Sequence, residues 1–303
     1  MLDLNRLVML RAVAMHGSIS AAARELAYTH SAISQQLSLL ERETGTALLE
    51  KVGRTAKLTP VGLELVRNTE AVLAAMEHAE TELAASHHQP RGILTVAVYS
   101  SIARLLMPAA LRTLMHEQPG LEVRLRRLDP QEAVLQLVGR RVDAVIVDTF
   151  AGTQVAPPGV IDAAEIGRDP VRGYLPEFHP TGSLEQLGRV PWVMEPADAP
   201  STQWAMRVCR EAGFEPNVVH ESSDVLFHLR MVEAGLAAAF LPDLVVREAR
   251  SRVAPSPQLP TEPERRILLL TRTGAAEHPA FHAVRGAVAS ALAKYVSSTG
   301  GNA

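Results

Sequence analysis

Gly17-Ser18-Ile19-Ser20-Ala21-Ala22-Ala23-Arg24-Glu25-Leu26 opens the stretch that decides the fold of the first sixty residues, and Thr29-His30-Ser31-Ala32-Ile33-Ser34-Gln35-Gln36-Leu37 completes it. Gly17 ends a helix in which Leu4, Leu7, Leu10 and Val13 recur at helical spacing. Ser18 or Ser20 starts the next helix, because a hydroxyl accepts from the free N–H groups of a first turn. Three small alanines follow and let two helices approach closely. Ala27-Tyr28 forms the turn, and Thr29 caps a third helix. There Ile33, Leu37 and Leu40 make one apolar stripe at i, i+4 and i+7. His30, Ser31, Ser34, Gln35 and Ser38 occupy its other face with short or planar polar groups, suited to a major groove. Thr44-Gly45 stops the helix, with Gly45 as C-cap.

Working outward, residues 47–59 contain two short extended runs flanking Val52-Gly53-Arg54-Thr55. They read as a two-stranded wing, with Arg54 near its tip and Lys57 on the returning strand. Thr59-Pro60 reads as an N-cap followed by Pro at the first helical position. The long helix that opens there carries Leu63, Val66, Leu73, Met76 and Leu83, a narrow stripe that reads as a dimerisation seam. Pro90 and Gly92 stop it. From residue 93 onward, short apolar runs alternate with helical stretches, which indicates an α/β region.

A chain of 303 residues exceeds what one hydrophobic core organises, so two or more domains are expected. Aromatic residues are only 4%, so the cores depend on Leu, Val, Ala and Ile. The net charge of −3 hides a mildly basic start, with seven Lys and Arg against five Asp and Glu in residues 1–60. One cysteine, Cys209, excludes an internal disulfide and any multi-cysteine zinc site. His87-His88, at the end of the long helix, reads as solvated surface. No apolar run is long enough for a membrane span, and no secretory signal pattern opens the chain. A cytoplasmic protein is expected. Gly-x-Ser-x-Gly, His-Glu-x-x-His and Walker motifs are missing, so no catalytic residues, metal ligands or cofactor are assigned and no enzyme is expected.

The run from Gly17 to Leu26, then Ser31 to Leu37 and Leu40-Glu41, then Leu58-Thr59-Pro60-Val61-Gly62, closely resembles the signature of the LysR family of transcriptional regulators. Later segments are also similar to that family: Gly92 to Val98, Leu106-Met107-Pro108, Val142 to Val147, and Ala234-Gly235-Leu236 with Leu241-Pro242. The resemblance implies an all-α winged helix-turn-helix head with a long linker helix, then an α/β two-lobed effector domain of periplasmic-binding-protein type II. It places the head at 1–59, the linker and dimerisation helix at 60–89, and the effector domain at 90–303. Lobe I would span about 92–160 and 267–303, and lobe II about 161–266.

Matched to the family motif, the DNA-facing residues are Thr29, His30, Ser31, Ser34, Gln35, Arg54 and Lys57. Many members carry Arg where this chain has Gln35. Arg suits guanine and Gln suits adenine, so Gln35 is expected to read an A·T pair. Effector-binding candidates lie near strand ends and helix starts facing the cleft: Ser100, Ser101, Asp129, Asp148, Thr149, Ser201, Thr202 and Glu221. Capping is the expected role of Asp129. An acidic Asp148 would disfavour a dianionic ligand unless Arg104 or Arg172 offset it. The implied partners are an operator in double-stranded DNA, a small-molecule effector of unknown identity, RNA polymerase, and further copies of the chain in a homotetramer. A secreted solute-binding protein would share the α/β region, but it would lack the helix-turn-helix. A different one-component regulator would differ only in how its effector region folds.

Overall fold

The computed structural model describes residues 1–52, 55–86, 89–153, 159–176, 184–259 and 264–297. The chain forms two compact units, Met1–Glu80 and Thr81–Ala303.

The first unit begins with α1 (Leu4–His16), α2 (Ile19–Glu25) and α3 (His30–Thr44). Each start is fixed by a side chain. Asp3 accepts from the Arg6 N–H at 3.2 Å, Ser18 from Ala21 at 3.1 Å, and Thr29 from Ala32 at 3.1 Å. Ser18, not Ser20, is therefore the cap of α2. Gly17, in the left-handed region at φ 72°, ends α1. Leu10, Val13, Ala22, Ile33, Leu37 and Leu40 meet in one core. The wing is an antiparallel pair, β1 (Leu49–Val52) and β2 (Thr55–Leu58), with Leu49 opposite Leu58 and Glu50 opposite Lys57.

α4 (Pro60–Ala85) is the long helix. Its predicted seam divides. Val66 packs against the head core and Leu73 is buried, whereas Leu63, Met76 and Leu83 are exposed together with Val61 and Val72. The exposed apolar line is thus rotated from the one predicted.

The second unit contains β3 (Gly92–Val98), α5 (Ser100–Leu105), α6 (Met107–Glu117), β4 (Leu121–Arg127), α7 (Pro130–Val138) and β5 (Ala144–Thr149). β6 (Ile161–Tyr174) leads to α8 (Leu184–Arg189), β7 (Pro191–Met194), α9 (Pro200–Glu211), β8 (Asn217–Glu221) and α10 (Val225–Glu233). β9 (Ala239–Pro242), α11 (Asp243–Glu248), β10 (Glu264–Arg272) and α12 (Pro279–Ser297) complete it. The main sheet runs β4-β3-β5-β10-β6-β9, with β3 parallel to β4 and β5, and β10 antiparallel to β5 and β6.

Alternation sorts its faces. Val96, Ile146, Ile267 and Leu269 point into a large core, and Ala97, Val145, Val147, Leu268 and Leu270 into a smaller one together with α7 residues Ala133 and Leu137. In the second lobe β7 and β8 pair in parallel, and Trp192 anchors a core with Trp204, Cys209 and Phe214.

Among the described strands, β6 joins the lobes. β6 pairs with β10 as far as Pro170, opposite Glu264, then changes partner and pairs with β9 from Val171 to Tyr174. The β6–β10 ladder shifts register between Ile267 and Leu268. β10 starts three residues earlier than the predicted 267, and this brings Arg265 into the sheet.

Candidate functional site

The helix-turn-helix carries its polar face on α3. His30, Ser31, Gln35 and Ser38 are exposed, and Ser34 is half-buried between them. Thr29 is exposed, and its hydroxyl, besides capping α3, lies 3.0 Å from the Ser31 hydroxyl. The turn into α3 is tight, with Ala27 in the left-handed region at φ 57° and the Tyr28 N–H bonded to Ala23 O at 2.9 Å. Lys57 is exposed on β2. Arg54 and the His87-His88 pair lie outside the described residues.

The joint between wing and α4 explains the residues that close the family signature. Thr59 Oγ1 donates to Ala47 O at 2.9 Å and accepts from the Gly62 N–H at 3.0 Å, while the Thr59 N–H bonds Leu48 O at 2.9 Å. A Cβ on Gly62 would strike that same Leu48 carbonyl. Glu41 Oε1 accepts from the N–H groups of Leu48 and Leu49 at 2.8 and 3.0 Å. Glu41, Thr59 and Gly62 therefore fix how the wing leaves α3 and how α4 leaves the wing.

Between the lobes lies a pocket of two adjoining chambers, with cavity volumes of ≈ 40 and ≈ 240 Å³, sharing Tyr99, Asp148, Phe150, Glu195 and Ser201 as walls. The inner wall is aromatic. Phe150 stacks on Trp204 with centroids 5.0 Å apart, and Trp204 meets Phe240 edge-on at 5.2 Å. The outer chamber opens past Asp129, Gln131 and Asp198.

Sequence reasoning missed the groups that organise this pocket. Arg265 is 1% exposed. Its Nη1 donates to Asp148 Oδ2 at 2.9 Å and Ser101 Oγ at 3.1 Å, and its Nε donates to Asp169 Oδ2 at 3.0 Å. Asp169 Oδ1 accepts from the Leu244 N–H at 3.1 Å, where α11 begins. The one available signal was parity. Arg265 shares the inward face of β10 with Ile267 and Leu269, and a cation there must be paired.

Glu195, at the end of β7, is the second missed group. Tyr99 Oη donates to its Oε1 and Ser201 Oγ to its Oε2, and Thr202 Oγ1 donates to its backbone carbonyl at 2.9 Å. Tyr99 Oη also lies 2.9 Å from the Ser223 carbonyl, so this first-lobe phenol touches the second lobe twice. Burial pushes the Glu195 carboxyl above its usual range, against the lowering effect of the Ser201 and Tyr99 hydroxyls.

Several effector candidates are corrected. Ser101 does not line the pocket, since its hydroxyl accepts from Arg265. Thr149 points to the opposite face of β5 from Asp148 and bonds Thr153 Oγ1 at 3.0 Å. Glu221 is exposed and paired opposite Met194 in the β7–β8 ladder, away from the walls. Asp129 makes no side-chain cap bond to α7 and instead lines the outer chamber. The Ser100 side chain lies outside the described residues. Asp148, Ser201 and Thr202 do line the pocket. Asp148 is nevertheless neutralised by Arg265, so it does not by itself repel an anion. Arg104 pairs with Glu248 and Arg172 with Asp243, each at 2.9 Å, and neither lines the pocket.

A winged helix-turn-helix ahead of a two-lobed α/β domain, with a pocket between the lobes, defines a transcriptional regulator that responds to a small molecule. Residues 4–63 match the bacterial regulatory helix-turn-helix of the lysR family, and residues 87–293 match the LysR substrate binding domain. The chain belongs to the LysR family: it is a DNA-binding regulator with an effector-binding domain. It is 26% identical over 227 residues to the transcriptional dual regulator GltC of Bacillus subtilis, covering 73% of this chain and 74% of that one. It is 27% identical over 294 residues to a probable hydrogen peroxide-inducible genes activator of Streptomyces viridosporus, covering 93% and 91%. Full-length OxyR of Pseudomonas aeruginosa, in a mutant form, shares the fold at a TM-score of 0.62 and 20% identity, with 95% of each chain covered. No described helix is long and apolar enough to cross a membrane.

Proposed function

We propose that His30, Ser31, Ser34 and Gln35 read operator bases, while Thr29, Lys57 and Arg54 hold phosphates or the minor groove. We further propose that a small molecule bound against Phe150, Trp204 and Glu195 changes how the heads engage DNA. One observation carries this reading. The pocket walled by Phe150, Trp204 and Glu195 takes residues from both lobes and is bridged by Tyr99, whose hydroxyl bonds Glu195 and approaches Ser223. A molecule entering there must act on that bridge, and a ligand shifts a conformational equilibrium only through contacts that differ between the two states.

The working division is a head at 1–59, a linker at 60–89 and an effector domain at 90–303, with the chain crossing between lobes near 160 and returning near 267. The change of partner along β6 comes later than the first of these, between Pro170 and Val171. The exposed line Val61, Val72, Met76 and Leu83 on α4 supports self-association, read here as a homotetramer with linker helices paired. The protein binds rather than catalyses, acts in the cytoplasm, and meets RNA polymerase at its promoters.

The test uses the full-length protein and DNA from its own promoter region. Binding is followed by fluorescence anisotropy against a scrambled duplex, with sedimentation for the oligomer. Gln35→Ala and Lys57→Ala should weaken operator binding, the first only on specific DNA. Equal affinity for operator and scrambled DNA in the unmutated protein would sink the reading.

A further inference from the structure

The pocket's wall chemistry is lopsided. Among the described lining residues four are acids, Asp129, Asp148, Glu195 and Asp198, and the single lining cation is Arg265. That cation is already spent on Asp148 and on Asp169 behind it. His228 lines the inner chamber, but burial holds it below its usual range, toward the neutral form, with Nε2 2.7 Å from the Ser222 carbonyl. With Asp148 paired, a carboxylate or phosphate ligand would still meet Asp129, Glu195 and Asp198 and no uncommitted cation among the described lining residues.

The pocket offers a positive ligand two things. Phe150, Trp204 and Phe240 crowd the inner end and give a flat apolar body an aromatic wall. Glu195 stands at the boundary of the two chambers, with each carboxylate oxygen held by one hydroxyl. Each oxygen keeps lone-pair capacity for a further donor.

We propose that the effector is a small organic cation: a protonated amine on a flat apolar body, with the body against Trp204 and Phe150 and the ammonium between Glu195 and Asp198. This rests on the reading of the interlobe pocket as the effector site. The Glu195 carboxyl, raised by burial, would be drawn back toward its ionised form by the arriving charge. The ammonium would then share Glu195 with the Tyr99 and Ser201 hydroxyls, which links occupancy to the bridge between lobes.

Three probes of matched size test the class: 2-phenylethylammonium, 2-phenylethanol and 3-phenylpropionate. Each is titrated calorimetrically into full-length protein, with melting temperature as a second readout. The expected result is an ammonium Kd about tenfold or more below those of the other two. That preference should shrink severalfold in Glu195→Gln and in Asp198→Asn, the latter an exposed change that leaves the core untouched. If the alcohol or the carboxylate binds as tightly as the ammonium, and Trp204→Leu weakens all three, the pocket is the site and the cationic class is wrong. If no probe binds, or Trp204→Leu changes nothing, the pocket reading falls and the proposal falls with it.

Discussion

The backbone carbonyl of Leu48, at the start of the wing, occupies the space that a Cβ on Gly62 would need. Glycine inside a helix ordinarily costs about 1 kcal/mol relative to alanine. At Gly62 the sign reverses, because the atom in the way is backbone and is itself held by the Thr59 N–H. Gly62→Ala should therefore destabilise the head by about 1–3 kcal/mol. Urea unfolding followed by circular dichroism, with operator affinity alongside, measures this, and a stabilised variant would refute the packing argument.

Gln35 stands exposed on the polar face of α3. Gln35→Ala should cost about 1–3 kcal/mol of specific binding and leave non-specific binding unchanged. Gln35→Arg should shift preference toward G·C at the contacted pair. Selection from a randomised operator library reads both effects.

Arg265→Met removes the charge between Asp148 and Asp169 and leaves both acids without their cation. Breaking such a buried pair from one side costs about 3–5 kcal/mol. Adding Asp169→Asn should recover part of that loss, because the two side chains are in direct contact. A double-variant cycle in denaturant measures the coupling, and strict additivity would show that the pair is not coupled.

Cys209 sits in the second-lobe core, and burial pushes its thiol up to about 12. Thiolate is the reactive form, so the folded protein should resist alkylation and peroxide, although one relative is described as a probable hydrogen peroxide-inducible activator. Mass spectrometry after iodoacetamide, with and without urea, should show labelling only on unfolding. Rapid labelling of the native protein would contradict this burial.

Burial holds the His228 imidazole below the ordinary histidine value of about 6.5. A group depressed in this way binds protons more readily in the unfolded chain, so it favours unfolding as pH falls below about 6.5. The stability contribution is present above that pH and is lost on acidification, with a limiting slope of about 1.4 kcal/mol per pH unit. His228→Gln retains a donor for the Ser222 carbonyl and should flatten the melting-temperature profile between pH 6.5 and 5. An unchanged profile would assign the acid sensitivity to other groups.

The head was legible because its determinants are local. Asp3, Ser18 and Thr29 cap helices within three residues of themselves, and Ile33, Leu37 and Leu40 declare a core face by spacing alone. The pocket was only half legible. Asp148, Ser201 and Thr202 sit at element ends, where a cleft is expected, but parity along β5 turns Thr149 away. Arg265 and Glu195 matter through partners about a hundred residues distant, and no short window of sequence contains both ends of such a bond. The α4 stripe misled for a related reason. Helical spacing showed that Val66 and Leu73 are apolar, but not that the first packs on the head and the second is buried.

The strand β6 runs unbroken past the point where its partner changes from β10 to β9, and Pro170 closes the first ladder. Pro170 has no N–H to give a ladder, and its ring fixes φ, so the backbone is stiff where the partner changes. One continuous length of chain is therefore shared property: Ile161 to Pro170 belongs to the β10 ladder, and the next four residues belong to β9.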